Sequence, residues 1–284
     1  MLGIEETAYA KVNLDLRVSR RRADGYHDLD SLVAFADIGD RLTFDRADGL
    51  EFAIKGPFGG SLPNDERNLV AAAARSLGVL LNREIRVSIT LDKRLPVAAG
   101  LGGGSADAAA ALRGLIRLCD LPLTPADLMP VARSLGADVP VCLSSTAVRM
   151  QGVGDRLSPM PLPAELPVVL VNPGDAVATP DVFRALQEFS GSRPTERLGA
   201  TDHSFRRQLE KGVNDLETPA IAIAPAIRKV LDALRRQPGC SLARMSGSGA
   251  TCFGLFEDAR ARDHAVSTLV AARPDWWIAG TVLR

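Results

Sequence analysis

Cysteine and histidine are scarce in this sequence. Four cysteines, Cys119, Cys142, Cys240 and Cys252, stand among 284 residues, and none forms a C-x-x-C pair. They read as buried thiols of a reducing compartment. The three histidines, His27, His203 and His264, lack the H-E-x-x-H or similar spacing of a zinc site. Charge of one sign is not in excess: 34 Lys+Arg balance 34 Asp+Glu. No overall basic field points to nucleic acid. No apolar run is long enough to span a bilayer, and the first residues lack a basic segment followed by an apolar stretch. The expectation is a soluble cytoplasmic protein with no nucleic-acid and no membrane partner. With 284 residues and 46% hydrophobic content, the chain can form one large domain or two of ordinary size.

Glycine, by contrast, is concentrated. The run Pro96, Val97, Ala98, Ala99, Gly100, Leu101, Gly102, Gly103, Gly104, Ser105, Ala106 leads into an alanine-rich helix. Glycine has no Cβ, so the backbone can turn sharply and lie close to a bulky anion. The helix behind it begins with free N–H groups and a positive dipole end. Together these make a phosphate cradle. Familiar patterns fail on detail. In G-x-G-x-x-G counted from Gly100, the third glycine falls on Ser105. No lysine follows as a Walker loop requires. G-x-S-x-G around Ser105 ends on Asp107. A flexible turn before a core helix is the plain alternative, but a turn rarely needs several glycines when one sets the left-handed residue. The run reads as a site that binds a nucleoside triphosphate and transfers its terminal phosphoryl group. A second glycine turn, Met245-Ser246-Gly247-Ser248-Gly249-Ala250-Thr251, lies between two strands. It is either a simple hairpin loop or a backbone surface facing the phosphates.

Alternation predicts strands over Thr7–Val18, Ser31–Ala36, Arg41–Asp45, Leu50–Ile54 and Ile85–Leu91. Helical spacing covers Asn68–Leu81 and Ala106–Leu118. Thr124-Pro125-Ala126-Asp127 opens a helix that ends near Gly136. Four prolines in Ser158–Pro167 mark a boundary. A buried strand, Val168–Val171, follows. Thr179-Pro180 opens a helix by the same capping logic. Gly191–Asp202 is polar and reads as a mobile surface loop. Helices near Phe205–Lys211 and Ala220–Gln237, strands near Leu242–Met245 and over Thr251–Phe256, a helix Ala259–Ala271 and a strand Trp277–Leu283 complete an α+β pattern.

Lys11 sits in an otherwise apolar strand, Ala8–Leu14. Its side chain either faces water or meets a carboxylate. Asp138, in the apolar stretch Gly136–Val141 just after a helix, is the candidate acid. Such a pair can take a proton from a hydroxyl and hold the nucleophilic oxygen. Arg22-Ala23-Asp24-Gly25-Tyr26-His27 sets an aromatic beside an imidazole. It reads either as a polar loop with one packed tyrosine or as a contact for a planar heterocycle.

Taken together, these motifs resemble the GHMP kinases. Ala10–Leu14, Pro96–Ser105 and Ser246–Gly249 are similar to the family's first, second and third motifs. Arg22–His27, Gly136–Pro140 and Asn214-Asp215-Leu216-Glu217 resemble the branch that acts on a cytidine diphosphate-linked methylerythritol. The resemblance implies an α+β, two-domain GHMP kinase fold. Its N-terminal domain, 1–160, would be like domain 2 of ribosomal protein S5 and its C-terminal domain, 161–284, ferredoxin-like, with the active site in the crevice between them. It implies Lys11 and Asp138 as the catalytic pair. ATP would be held by Pro96 through Ala106 with Asn68 and Lys93 nearby, and Ser105 would sit by Mg²⁺. The substrate would meet Asn13, Tyr26, His27, Thr179 and Phe183, the two aromatics sandwiching the cytosine. Its 2-hydroxyl would receive the phosphoryl group, in a monomer or homodimer. Other kinases of the family act on homoserine, mevalonate or a sugar, substrates that carry no base to stack. A nucleotide-binding protein without catalysis would not need the Lys–Asp pair. Ala98 and Ala99 stand where glycines are frequent in the family, with little effect expected, and Ala250 replaces a frequent proline.

Overall fold

The structure is a computed structural model and describes residues 3–191 and 201–284. Strands β1 (Ile4–Arg21), β2 (His27–Arg46) and β3 (Leu50–Lys55) lead to helix α1 (Leu69–Leu81) and strand β4 (Val87–Asp92). Helices α2 (Gly103–Leu118), α3 (Pro125–Leu135) and α4 (Val139–Ser144) follow, then strands β5 (Val148–Gly152), β6 (Arg156–Pro159) and β7 (Leu166–Asn172). Helices α5 (Thr179–Ala185), α6 (Asp202–Glu210), α7 (Glu217–Ile223) and α8 (Ala226–Arg235) precede strands β8 (Cys240–Met245) and β9 (Cys252–Phe256), helix α9 (Ala259–Ala272) and strand β10 (Trp277–Leu283). Among the described residues no helix is long and apolar enough to cross a membrane. The loop expected over Gly191–Asp202 falls largely outside the described residues.

Contacts group the chain into two compact units that interleave along it. The expected division into 1–160 and 161–284 follows chain order. Grouping by contact places Lys11–Asp37 and Ala98–Leu101 with Thr146–Arg284.

In the first unit β4 pairs in parallel with β3 and antiparallel with Arg41–Arg46 of β2. Alternate residues of β4, Val87, Ile89 and Leu91, are buried, as the alternating sequence predicts. Helices α1, α2, α3 and α4 pack on one another. The alanines of α2 suit close packing, and at Gly114 a Cβ would lie 2.3 Å from the Phe44 ring. Thr124 and Asp127 form the expected capping box of α3. Two short strands were expected where β2 is continuous. The chain stays extended through Asp37–Asp40 because Gly39 runs against the backbone of Ala8, where a Cβ would sit 2.1 Å from the carbonyl oxygen.

In the second unit β10, β7, β9 and β8 are joined antiparallel in that order. The first part of β2 pairs with β5, and β5 with β6. Ile227, Val230, Leu231 and Leu234 of α8 recur at helical spacing. They pack with Val169, Val171, Cys252, Phe256 and Leu269 into the unit's core. Two expectations change here. The helix foreseen over Ala220–Gln237 is two, because Ala224 before Pro225 leaves the helical region at φ −129°, ψ 85°. The helix at Thr179-Pro180 forms, but Ala178 is its cap and no side chain caps it. Thr179 uses its hydroxyl elsewhere.

Candidate active site

The glycine run does what its composition requires. Gly100 (φ 74°) and Gly102 (φ 62°) occupy the left-handed region. A Cβ on Gly100 would lie 2.3 Å from the carbonyl oxygen of Ser246, so only glycine fits there. Gly102 caps α2, and the N–H groups of Gly103, Gly104 and Ser105 precede the first intrahelical bond, from Ala106 N–H to Gly102 O at 2.9 Å. The first turn carries no acidic side chain, which suits an anion at this helix start. Ala98 is also left-handed, at φ 51°. An L residue is strained in this region by a small amount.

Three segments far apart in sequence meet within the second unit. The Lys11 N–H donates to Leu101 O at 2.9 Å, and the Thr251 N–H to Ala99 O at 3.1 Å. The Ser246 hydroxyl accepts from the Asn13 N–H at 3.1 Å and donates to Gly100 O at 2.9 Å. One hydroxyl thus ties the first strand, the glycine run and the second glycine turn. Asn214 shapes that turn, its Nδ2 donating to Met245 O and Gly247 O at 2.8 Å each. Asn13 donates through Nδ2 to the Ser31 hydroxyl at 2.7 Å, and Ser31 donates to Asp15 O at 2.6 Å. The Asn13 Oδ1 is buried with no partner, an orphan acceptor of the kind that a bound hydroxyl satisfies. Lys11 is 4% exposed. Its place in an apolar strand therefore does not turn it to water.

The rings of His27, Phe183 and Phe189 also gather, whereas the Tyr26 side chain is exposed. Gly25 (φ 87°) turns the loop, and Asp24 accepts from the Tyr26 N–H at 3.1 Å. Arg20 and Arg22 brace Asp28 at 2.6 and 3.3 Å. The His27 ring stacks on Phe183 with centroids 4.8 Å apart and planes at 26°. Phe189 is tilted toward His27 at 6.2 Å. Burial, with Arg21 adding less, holds His27 below the ordinary imidazole value, so at neutral pH it offers one donor and one acceptor. The Thr179 and Ser248 hydroxyls share a hydrogen bond of 2.7 Å, linking the start of α5 to the second glycine turn.

The remaining predicted residues lie in the first unit. Asn68 caps α1, accepting from the Val70 N–H at 3.0 Å and donating to Pro63 O at 3.0 Å. Lys93 carries its ammonium into the interior, 2.6 Å from both Asp40 and Asp107. Burial opposes the Lys93 charge, but the two carboxylates outweigh it and its pKa is raised. Burial pushes Asp107 up to about 8, with Lys93 offsetting only part of the rise. Asp138 is half-buried at the cap of α4 and uses no side-chain cap bond. Sequence reasoning did not select Asp40, Asp107, Ser31 or Phe189. An acid inside a strand pattern at Asp40 and an aromatic in the polar stretch after α5 at Phe189 were the available signals. A cavity of about 490 Å³ in the second unit is lined by Asn214, Glu217, Arg235 and Arg244 among others, and by none of the predicted site residues. Its polar groups serve the fold: Glu217 accepts from the Met245 N–H, and Arg244 donates to Leu14, Leu209 and Gly212 carbonyls.

Residues 68–146 match the family described as GHMP kinases N terminal domain, and residues 195–274 that described as GHMP kinases C terminal. A 4-diphosphocytidyl-2-C-methyl-D-erythritol kinase of Rhodopseudomonas palustris is 49% identical, over 99% of this chain and 95% of its own length. One of Cereibacter sphaeroides is 51% identical, over 97% of each. The crystal structure of a 4-(cytidine 5'-diphospho)-2C-methyl-D-erythritol kinase superposes with a TM-score of 0.84 at 37% identity and covers 99% of both chains. A homoserine kinase from Cytophaga hutchinsonii shares the fold, with a TM-score of 0.75 at 20% identity over 99% of this chain and 95% of its own.

Proposed function

The chain belongs to the GHMP kinases, in the 4-diphosphocytidyl-2-C-methyl-D-erythritol kinase branch, and from that premise we propose that it moves the γ-phosphoryl group of ATP onto the 2-hydroxyl of that cytidylated alcohol. The observation that carries the reading is the Ser246 hydroxyl, which joins the Asn13 N–H to the Gly100 carbonyl and so sets three motif segments around one loop.

ATP lies with its phosphates on Gly102, Gly103, Gly104 and Ser105, whose N–H groups and helix dipole favour the anion. Pro96 through Leu101 and Ala106 line the same end. Asn68 and Lys93 serve it from behind, since their side chains are taken up by α1 and by Asp40 and Asp107. Ser105 would hold, through its hydroxyl oxygen, a Mg²⁺ ion accompanying the triphosphate, and that ion would supply charge neutralisation there. Tyr26 and Phe183 take the two faces of the cytosine, His27 meets its edge, and Thr179 lies close by. Asn13 directs its free Oδ1 to the hydroxyl end. Asp138 takes the hydroxyl proton while Lys11 steadies the developing alkoxide. The oxygen–phosphorus bond forms as the bond from ADP breaks, so the products are a phosphomonoester and ADP. Such transfer depends mainly on positioning and charge neutralisation. A cytoplasmic monomer or homodimer completes the reading.

The test is ADP release measured in parallel with the cytidylated alcohol, mevalonate and homoserine. Only the first should be turned over. Turnover of either of the others at a comparable rate would reassign the substrate. In the same assay Asp138→Asn should lower kcat by about a hundredfold or more while an ATP analogue still binds. Normal turnover in that variant would remove Asp138 from the chemistry.

A further inference from the structure

Strand β2 delivers a fully buried carboxylate, Asp40, to a place where the chemistry just described has no use for it. Its Oδ1 accepts from two successive N–H groups, Arg94 at 2.6 Å and Leu95 at 2.8 Å. These are the last residues before the glycine loop opens at Pro96. Its Oδ2 accepts from the Lys93 ammonium at 2.6 Å. The same ammonium donates to Asp107 Oδ2 at 2.6 Å, and Asp107 lies just beyond Ser105, where the loop has become helix. A Cβ placed on Gly103 would be 3.0 Å from the Lys93 Nζ and 3.7 Å from Asp40 Oδ2. The cluster therefore lies directly under the first helical residue, and it holds both ends of the loop.

The composition of the loop explains why holding is needed. Glycines that permit its turns also enlarge the set of shapes it can take. N–H groups bind a triphosphate well only if their directions are fixed before the ligand arrives, because ordering them on binding costs affinity. The cluster is not itself an anion site. Two carboxylates face one ammonium, and that ammonium is enclosed by them.

We propose that Asp40, acting through Lys93 and Asp107, is a positioning residue that fixes both ends of the glycine loop and so presets the N–H groups of Gly103 to Ser105 for a nucleoside triphosphate. The proposal rests on the kinase reading for the identity of the ligand. Asp40→Asn keeps an acceptor for Arg94 and Leu95 but loses the charge facing Lys93. The double variant Asp40→Asn/Lys93→Met removes the ammonium together with the carboxylate it faces, a paired replacement that buried ion pairs often tolerate in stability, and leaves Asp107 buried as the neutral acid that its raised pKa favours. For both, KM for ATP and Kd for a non-hydrolysable ATP analogue should rise by at least about tenfold, with KM for the alcohol within about twofold of the parent. The double variant should keep the parent's thermal midpoint within a few degrees.

An unchanged analogue Kd in either folded variant would overturn the proposal. So would a fall in kcat with both KM values rising together in step with lost stability, the mark of general damage. If Asp40→Asn does not fold, the double variant decides by the same split. Analogue binding is read on the parent chain as well. A parent that binds the analogue but does not turn over the alcohol refutes the substrate assignment and leaves the loop proposal to the variants.

Discussion

Beneath the glycine loop, Asp40, Lys93 and Asp107 are 0%, 2% and 3% exposed, whereas Tyr26 is 63% and Phe189 44% exposed beside the stacked pair His27–Phe183. The first group consists of buried polar and charged groups that cannot leave their partners without a large penalty, because each would be stranded in a low-dielectric interior. The second consists of rings that are partly open to solvent and so keep apolar area uncovered. The difference matches the two ligands proposed. A triphosphate is met by fixed backbone dipoles, which work best when rigid. A planar base is met by faces, which tolerate small adjustments. Rigidity at one end and adjustability at the other should therefore be separable by mutation.

The largest effect expected is on stability. Lys93→Met alone leaves two buried carboxylates with no cation between them. It should cost about 3–5 kcal/mol in unfolding free energy measured by chemical denaturation. Removing an exposed cation that braces the Tyr26 loop, as in Arg20→Ala, should barely move the same measurement. Comparable losses from the two changes would erase the contrast between the regions.

The next effect is on binding. Tyr26→Ala should weaken the cytidylated alcohol by about 1–3 kcal/mol, the usual worth of an aromatic–base stack, read as a rise in its KM with KM for ATP unchanged. An unmoved substrate KM would place the cytosine elsewhere and leave His27–Phe183 as a packing pair only.

Much of this was legible in the sequence wherever local chemistry decided the matter. The glycine run announced its own backbone through Gly100 and Gly102, and Thr124 with Asp127 announced a capping box. The alternation of Ile85–Leu91 marked β4. What stayed hidden was set by distant partners. Asp40 lies 53 residues from Lys93 and 55 from Leu95 in the chain, and it sits in a segment whose glycine and aspartates look like a turn. Only the backbone of Ala8 packed against Gly39 explains why the strand continues. Phe189 joined His27 through folding and through no periodicity. Thr179 has the composition of a helix cap, but Ser248 claims its hydroxyl. The interleaving of the two units has the same origin, since each segment belongs with what it touches and not with its neighbours in the chain.

The smallest effect tests rigidity inside the loop itself. Ala98 holds φ at 51° on an exposed stretch of chain, and an L residue there costs about 1–2 kcal/mol relative to glycine. Replacing it by glycine removes that strain but enlarges the unfolded ensemble, which takes back about 0.4–1 kcal/mol. The balance favours Ala98→Gly by about 0.5–1 kcal/mol in chemical denaturation. If the loop's ends are held from Asp40, the added freedom in its middle should leave KM for ATP within about twofold of the parent. A tenfold rise in that KM would mean that Ala98, strained as it is, supplies the stiffness assigned here to the buried charges. A loss of stability would mean that the left-handed alanine is paid for by contacts that its methyl group makes.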